Sequence, residues 1–530
     1  MRPLRILLTL LLCVVLPLSA LSGCGHTKLG EAPVIALMPL DSRPCNTQYP
    51  ALLAESTAAT LLLPPEEAMD QFLEKADTEA LWQWLEHETE AADEIVIFTN
   101  SLFCGGLIAS RSSGAYDDAA ENLARLETLC TRLQEEDTRQ ITVVQVLPRL
   151  SPNQFDDALF PYYDALTAYG EAWDASDAAG QAAPESADGV PEKALSEYRT
   201  LHEESTALAQ ALDEMASRGL IDRLIISQDD GAEYCPANIT FRHLSDHAEN
   251  TQLLHGADEL AMLLVVNSAA AGLEATPIHL VYANETYKIQ HYPYEATSLE
   301  EMIAQKLQLA GLSAENNANT TLYLHTDTAD TATTKAAASN HDGLFGLADV
   351  AVTNQADPAL TETLLSSEGF SQIDAYAGWN TAGNSVGTVC AELRALAVLD
   401  ARWDTLSEEV QTNAVQALYT FRAVRLGEDV GYMAGIRSDL QQDLAADNLQ
   451  DHTSAFADKA AWDGANVRLA DRYTTYNDQL AALFNGSRTL TLGEHKIPVT
   501  ITNFTSTATF PWPRSFEVKI DATMTVTIDT

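Results

Sequence analysis

Basic residues are scarce: 30 Lys and Arg stand against 76 Asp and Glu in 530 residues, a formal charge of −46. Nucleic acid requires a cationic track that releases condensed counterions, so nucleic-acid binding is excluded. The acidity reads as a solubilising surface charge. Cysteine is sparse as well, seven residues with no CxxC pair and no zinc-ligand spacing, which excludes a disulfide framework and a thiolate metal site. Beyond Cys13 and Cys24, the five others read as buried free thiols, with Cys45, Cys104 and Cys235 close to candidate site motifs. There is no HExxH, GxSxG, GxxxxGK[ST] or strand-linked GxGxxG, so zinc peptidase, serine hydrolase, nucleotide-loop and dinucleotide chemistries are set aside. No cofactor is implied. After the N-terminus no run approaches the roughly 20 apolar residues of a spanning helix. Hydrophobic residues nonetheless make up 46% of the chain, an ordinary globular share.

Residues 1–24 read as a secretory signal: Arg2 and Arg5, an apolar stretch from Ile6 to Leu16, then Leu21-Ser22-Gly23-Cys24. That last tetrapeptide resembles the bacterial lipobox. The resemblance implies lipidation of Cys24, a membrane lipid as partner and an extracytoplasmic, lipid-anchored location.

The remainder alternates strand-like and helix-like stretches. Strands are expected at 34–38, 60–63, 95–99, 141–147, 224–228, 260–266 and 278–282, with helical periodicity over 66–90, 115–136 and 195–218. This order predicts an α/β fold of mainly parallel strands. Residues 32–290 form the expected N-terminal domain, with a flexible insertion at 172–193. Residues 291–486 form a second α/β and helical domain, with strands near 321–325, 349–353 and 373–377. Residues 487–530 alternate Thr, Val, Ile and Phe with polar residues, as a small antiparallel β unit does. No internal repeat is visible.

Polar groups follow the apolar runs: Asp41-Ser42-Arg43-Pro44, Asn100 before Gly105-Gly106, Pro148-Arg149, Gln228-Asp229-Asp230 and Asn267. Side chains gathered at the exit ends of parallel strands are how α/β enzymes build a site. Polar tips on so many strands favour a (β/α) barrel-like core, where every tip reaches one mouth. Asp229 and Asp230 are the candidate catalytic pair, because two close carboxylates push their proton affinities apart. Asp41 and Arg43, two apart, share one side of an extended chain, where they either pair or grip a ligand. Asp258-Glu259 would sit at the entry end of a strand 260–266, away from the mouth, unless the strand begins earlier. Trp379-Asn380-Thr381-Ala382-Gly383-Asn384 offers an aromatic face and two amides for a sugar ring, and also the start of a helix. Substrate-binding candidates are therefore Asp41, Arg43, Asn100, Arg149, Asp258, Trp379, Asn380 and Asn384.

Several of these segments, in order, resemble one bacterial family, the domain of unknown function 4127 (DUF4127). They are Pro39–Pro44, Gly105–Arg111, Gln228–Asp230, Gly256–Glu259, Ala375–Asn384 and the closing Pro511-Trp512-Pro513-Arg514 with Phe516-Glu517. The chain departs from the family pattern at Ser42 and Asn100, where that pattern carries acids, at Cys104, where it carries Tyr, and at Asn354-Gln355-Ala356-Asp357. The loss of two carboxylates weakens any metal site, and none is assigned.

Two functions fit these residues. One is a cell-surface glycoside hydrolase acting on a cell-wall or polysaccharide-derived sugar, with Asp230 as general acid and Asp229 steadying the developing charge. The other is a non-catalytic ligand-binding or envelope lipoprotein on an enzyme-like fold, which the acids missing at Ser42 and Asn100 favour. A divalent-metal hydrolase using Asp41, Asp229 and Asp258 stands third.

Overall fold

The computed structural model describes residues 32–135 and 139–529; the signal segment and Cys24 lie outside them. The first six strands are β1 (Val34–Met38), β2 (Thr60–Leu62), β3 (Glu94–Phe98), β4 (Gln140–Leu147), β5 (Arg223–Gln228) and β6 (Thr251–His255). They pair in parallel in the order β2-β1-β3-β4-β5-β6. β1, β3, β4 and β5 are buried along nearly their whole length because both faces are covered. Ile35, Leu37, Val96, Val144 and Ile225 face one core cluster. Ala36, Met38, Ile95, Val143 and Ile226 face another, under helices Thr78–Glu88, Ala119–Glu135 and Glu192–Ser217.

A second parallel sheet contains β7 (Thr276–Tyr282), β8 (Leu312–Ala314), β9 (Thr320–His325), β10 (Leu344–Asp349) and β11 (Ala375–Ala377), ordered β11-β10-β9-β7-β8. Strand β7, grouped by sequence with the first domain, belongs here, through pairings with β8 and β9. Both sheets share one winding: the second strand lies outside the first, and the later strands extend from the first's other side. This architectural repetition has no counterpart in the sequence. β12 (Gly486–Leu492), β13 (His495–Thr509) and β14 (Lys519–Ile528) form the expected antiparallel unit, packed on helices Lys459–Phe484 and Glu408–Arg425.

The barrel expectation is corrected. The first sheet is open, with β2 and β6 at its edges, and β6 pairs with β5 alone among the described strands. The polar tips that argued for closure follow β1, β3, β4 and β5 of this one open sheet, and Asn267 lies in helix Leu260–Ala269.

The segment 260–266, expected as a strand, is the start of a helix, Leu260–Ala269. It lies between the sheets, packed on helices Gln48–Ser56 and Ala382–Arg402, and residues 260–266 are all buried. A helix covered on every side loses its amphipathic stripe and reads as a plain apolar run. The expected insertion 172–193 is ordered in part. Helix Tyr163–Ala178 runs into it, and Ala183, Ala187 and Val190 pack on a satellite core around Leu159 and Tyr198.

Candidate functional site

Beyond β5 and β6 the chain turns into the loops carrying Asp229-Asp230 and Gly256–Glu259. Together with Tyr294–Ala296 and the start of helix Ala382–Arg402, they line a small cleft. Gln228, Asp229, Asp230, Glu295, Thr381 and Asn384 contribute its polar wall. The real strand, β6, ends at His255, so Asp258 stands at an exit end after all.

The helix is started by a capping box between Thr381 and Asn384. The Asn384 amide donates to Glu259 Oε2 at 2.6 Å, and its oxygen accepts from Asn380 Nδ2 at 2.6 Å. Asn380 adopts φ +49, a left-handed conformation that asparagine tolerates. Its amide also lies 3.5 Å from Asp258 Oδ2. Gly378, three residues before the cap, donates its N–H to Asp429 at 2.8 Å, and Asp429 is ion-paired with buried Arg425. That interior charge cluster fixes the exit of β11 and so the position of Asn380.

Arg43 joins the two sequence-distant acids. Its guanidinium bonds Asp41 Oδ2 at 2.7 Å and Asp258 through two bonds of 2.6 and 3.0 Å. Asp41 is fully buried and also accepts from Asn46 Nδ2 at 2.8 Å. Burial opposes charge on Arg43, but Asp258 and Asp41 outweigh it and hold the guanidinium firmly protonated. Of the two readings left open for Asp41 and Arg43, the structure has the pair. The three acids of the metal alternative are directed to cations of the protein itself: Asp41 and Asp258 to Arg43, and Asp229 to Arg111. Among the described residues, no group of three or more His, Cys, Asp or Glu side chains is arranged to hold a metal.

Asp229 and Asp230 have different surroundings. Asp229 is buried against Arg111. Asp230 keeps 37% of its side chain open, with Arg149 at 4.0 Å. Enclosure by the cleft walls, and next the Asp229 carboxylate, push the Asp230 acid up to about 7, against the pull of Arg111 and Arg149. Two adjacent carboxyls held in distinct environments is the arrangement that divides acid from base. Glu295 brings a further carboxyl to the cleft. It is buried, accepts from the Gly383 N–H at 2.7 Å, and is raised by burial against the pull of Lys306.

Of the sequence candidates, Asp229, Asp230 and Asn384 line the cleft, and Trp379 and Asn100 serve the fold. Trp379 is 5% exposed, donates its indole N–H to Thr388 at 3.1 Å, and packs against Tyr49 and the Arg425 guanidinium, so it offers no face to a sugar. Asn100 spans to β4, donating to the Val146 carbonyl at 2.8 Å and accepting its N–H at 2.9 Å. It ties strand ends together. Arg149 lies beside Asp230 but directs other nitrogens to the carbonyls of Ser151 and Pro152. Cys45, Cys104 and Cys235 are buried free thiols, outside the cleft lining. The sequence reading passed over Arg111, although it closes the Gly105–Arg111 motif, and Glu295, which follows no strand tip.

The turn after β6 allows a direct check. Gly256 sits at φ +108, and a methyl group there would overlap Glu259 Oε1 and Lys306 Nζ. Gly256→Ala is expected to destabilise the protein by about 1–3 kcal/mol through backbone strain alone, read as a lower urea midpoint.

A family model described as a protein of unknown function (DUF4127) matches residues 35–521. No curated protein matches the chain, and no solved structure does.

Proposed function

Because the chain belongs to the DUF4127 family, whose description names no activity, we propose from the cleft itself that it is an acid–base hydrolase of the glycosidase type. Asp230 protonates the leaving oxygen as the glycosidic bond breaks, the Asp229 carboxylate, held by Arg111, steadies the positive charge that builds on the sugar, and water then bonds to that sugar carbon and returns a proton to Asp230. Thr381 and Asn384 supply the polar wall, and lipid on Cys24 tethers the protein to the outer face of a membrane. Among the described residues no helix is long and apolar enough to cross a membrane. The observation that carries this reading is Asp230: an acid raised to about 7, open to the cleft, beside a buried carboxylate with its own cation. A general acid works best with an affinity near the working pH.

A second reading, ligand binding without turnover, is favoured by the Arg43 pairings, which engage Asp41 and Asp258 within the protein. Purified protein offered a panel of neutral aryl glycosides separates the two. Release of the aryl group is expected. Saturable binding with no release from any member of the panel would replace the hydrolase by the binding protein.

A further inference from the structure

Among the described residues most large apolar side chains are buried, and those left exposed are few: Leu73, Tyr163, Tyr234, Ile289, Tyr294 and Val467. Three of them are aromatic, one in the cleft lining and two on segments near Asp230. Tyr294, 54% exposed, lines the cleft. Tyr234, 43% exposed, follows Asp230 on the same loop. Tyr163, 38% exposed, is within electrostatic reach of Arg149, itself 4.0 Å from Asp230. Isolated exposed apolar groups are ordinary, but three exposed aromatic rings on segments around one acidic cleft are a concentration.

Tyr294 carries a second signal. It sits at φ +69, a left-handed conformation costly for an aromatic residue. The surroundings impose it: Gly231 donates its N–H to the Tyr294 carbonyl at 3.0 Å, and Glu295 N–H bonds the Tyr292 carbonyl at 3.0 Å. Strain of this kind persists where the fold over-determines a functional position. Gln228 adds a third. It is 2% exposed and lines the cleft, its amide N–H₂ is used on Cys235 Sγ at 2.7 Å, and its Oε1 has no partner. A buried acceptor left open beside a cavity calls for a donor from a ligand.

Charge narrows the class. Asp229, Asp230 and Glu295 line the cleft, and no Lys or Arg does. Their cations, Arg111, Arg149 and Lys306, stand behind the lining, so an anionic sugar would meet the carboxyls first, whereas hydroxyl and amino groups would find acceptors.

We propose that the cleft takes a saccharide of more than one ring, uncharged or amine-bearing, seated on Tyr294 and continued over Tyr234 and Tyr163. This rests on the sugar-directed reading of the cleft and replaces the platform that Trp379 cannot provide. Ring CH groups stack on the phenol faces, and Gln228 Oε1 accepts from a hydroxyl or amine.

Calorimetric titration of the full chain carrying Asp230→Asn, with glucosamine, its dimer and its tetramer, and with tetragalacturonate, tests this. Affinity is expected to rise with length, and tetragalacturonate is expected to bind more weakly than the glucosamine tetramer. Adding Tyr294→Ala should weaken the tetramer roughly two- to tenfold, as loss of one aromatic contact does, while Tyr294→Phe, which keeps the ring face, restores it. Equal affinity at all lengths, tight binding of tetragalacturonate, unchanged binding with Tyr294→Ala, or no binding of any of these sugars would overturn the proposal. Turnover by the unmodified protein is scored separately. Length-dependent binding without turnover removes the hydrolase and keeps this site, and turnover of single-ring glycosides with length-independent binding does the reverse.

Discussion

Replacing Asp230 by Asn should lower kcat on a neutral glycoside by roughly 10²–10⁴-fold, the usual contribution of a positioned general acid. The amide has nearly the same size and still fits the cleft, but has no proton to give. Because Asp230 titrates at about 7, the parent protein should lose activity as pH rises above 7, and that limb should vanish from the residual rate of the variant. In the variant, stability should move opposite to kcat. The folded value lies above the ordinary aspartate value of roughly 3.9, so the stabilising contribution is complete below about pH 4. It is lost as pH climbs through the folded value near 7. The Asn variant has no such dependence. It should therefore unfold at higher urea than the parent at pH 8, with the difference shrinking toward pH 4. Gained stability with lost turnover is the pattern of a residue kept for chemistry. An unchanged kcat would remove Asp230 from the mechanism.

Arg43→Met should cost about 3–5 kcal/mol, the penalty for removing one partner of a buried ion pair and stranding the others. Asp41 is fully buried and Asp258 is 6% exposed, so neither carboxylate can turn to water. Burial already raises Asp258 against the pull of Arg43, and with the guanidinium gone that acid should rise further. Urea unfolding at pH 5 and pH 8 checks this, with the variant losing more stability at the higher pH, where the buried Asp258 carboxylate is charged without its cation. A loss below about 1 kcal/mol, typical of an exposed pair, would mean that Arg43 is held for a ligand and not for Asp41 and Asp258.

Much of the scaffold was legible because parallel strands buried on both faces announce themselves. β1, β3, β4, β5 and β9 stand where the apolar runs stand. The error at 260–266 has a single cause: a helix wrapped by two neighbours and a wholly buried strand share one apolar pattern. β6 escaped notice for the opposite reason, since Thr251–His255 is only partly buried and lacks a continuous apolar run. The site was legible where chemistry follows a strand end. Asp229, Asp230, Asp258 and Asn384 come together from segments far apart in the chain. It was illegible where function depends on tertiary neighbours. Trp379 has the local look of a binding platform, but Tyr49 and Arg425 cover its ring. Glu295 sits in a loop with no periodicity, placed by the Gly383 N–H and by the bond between Gly231 and Tyr294.

The account depends most on one proton. Carboxyl-selective NMR or infrared titration, with Asp230 identified by its absence in Asp230→Asn, reads that proton without a substrate. The account predicts a midpoint near 7, moving to a lower pH when Asp229→Asn removes the adjacent charge. A midpoint near 4, the ordinary aspartate value, would contradict it.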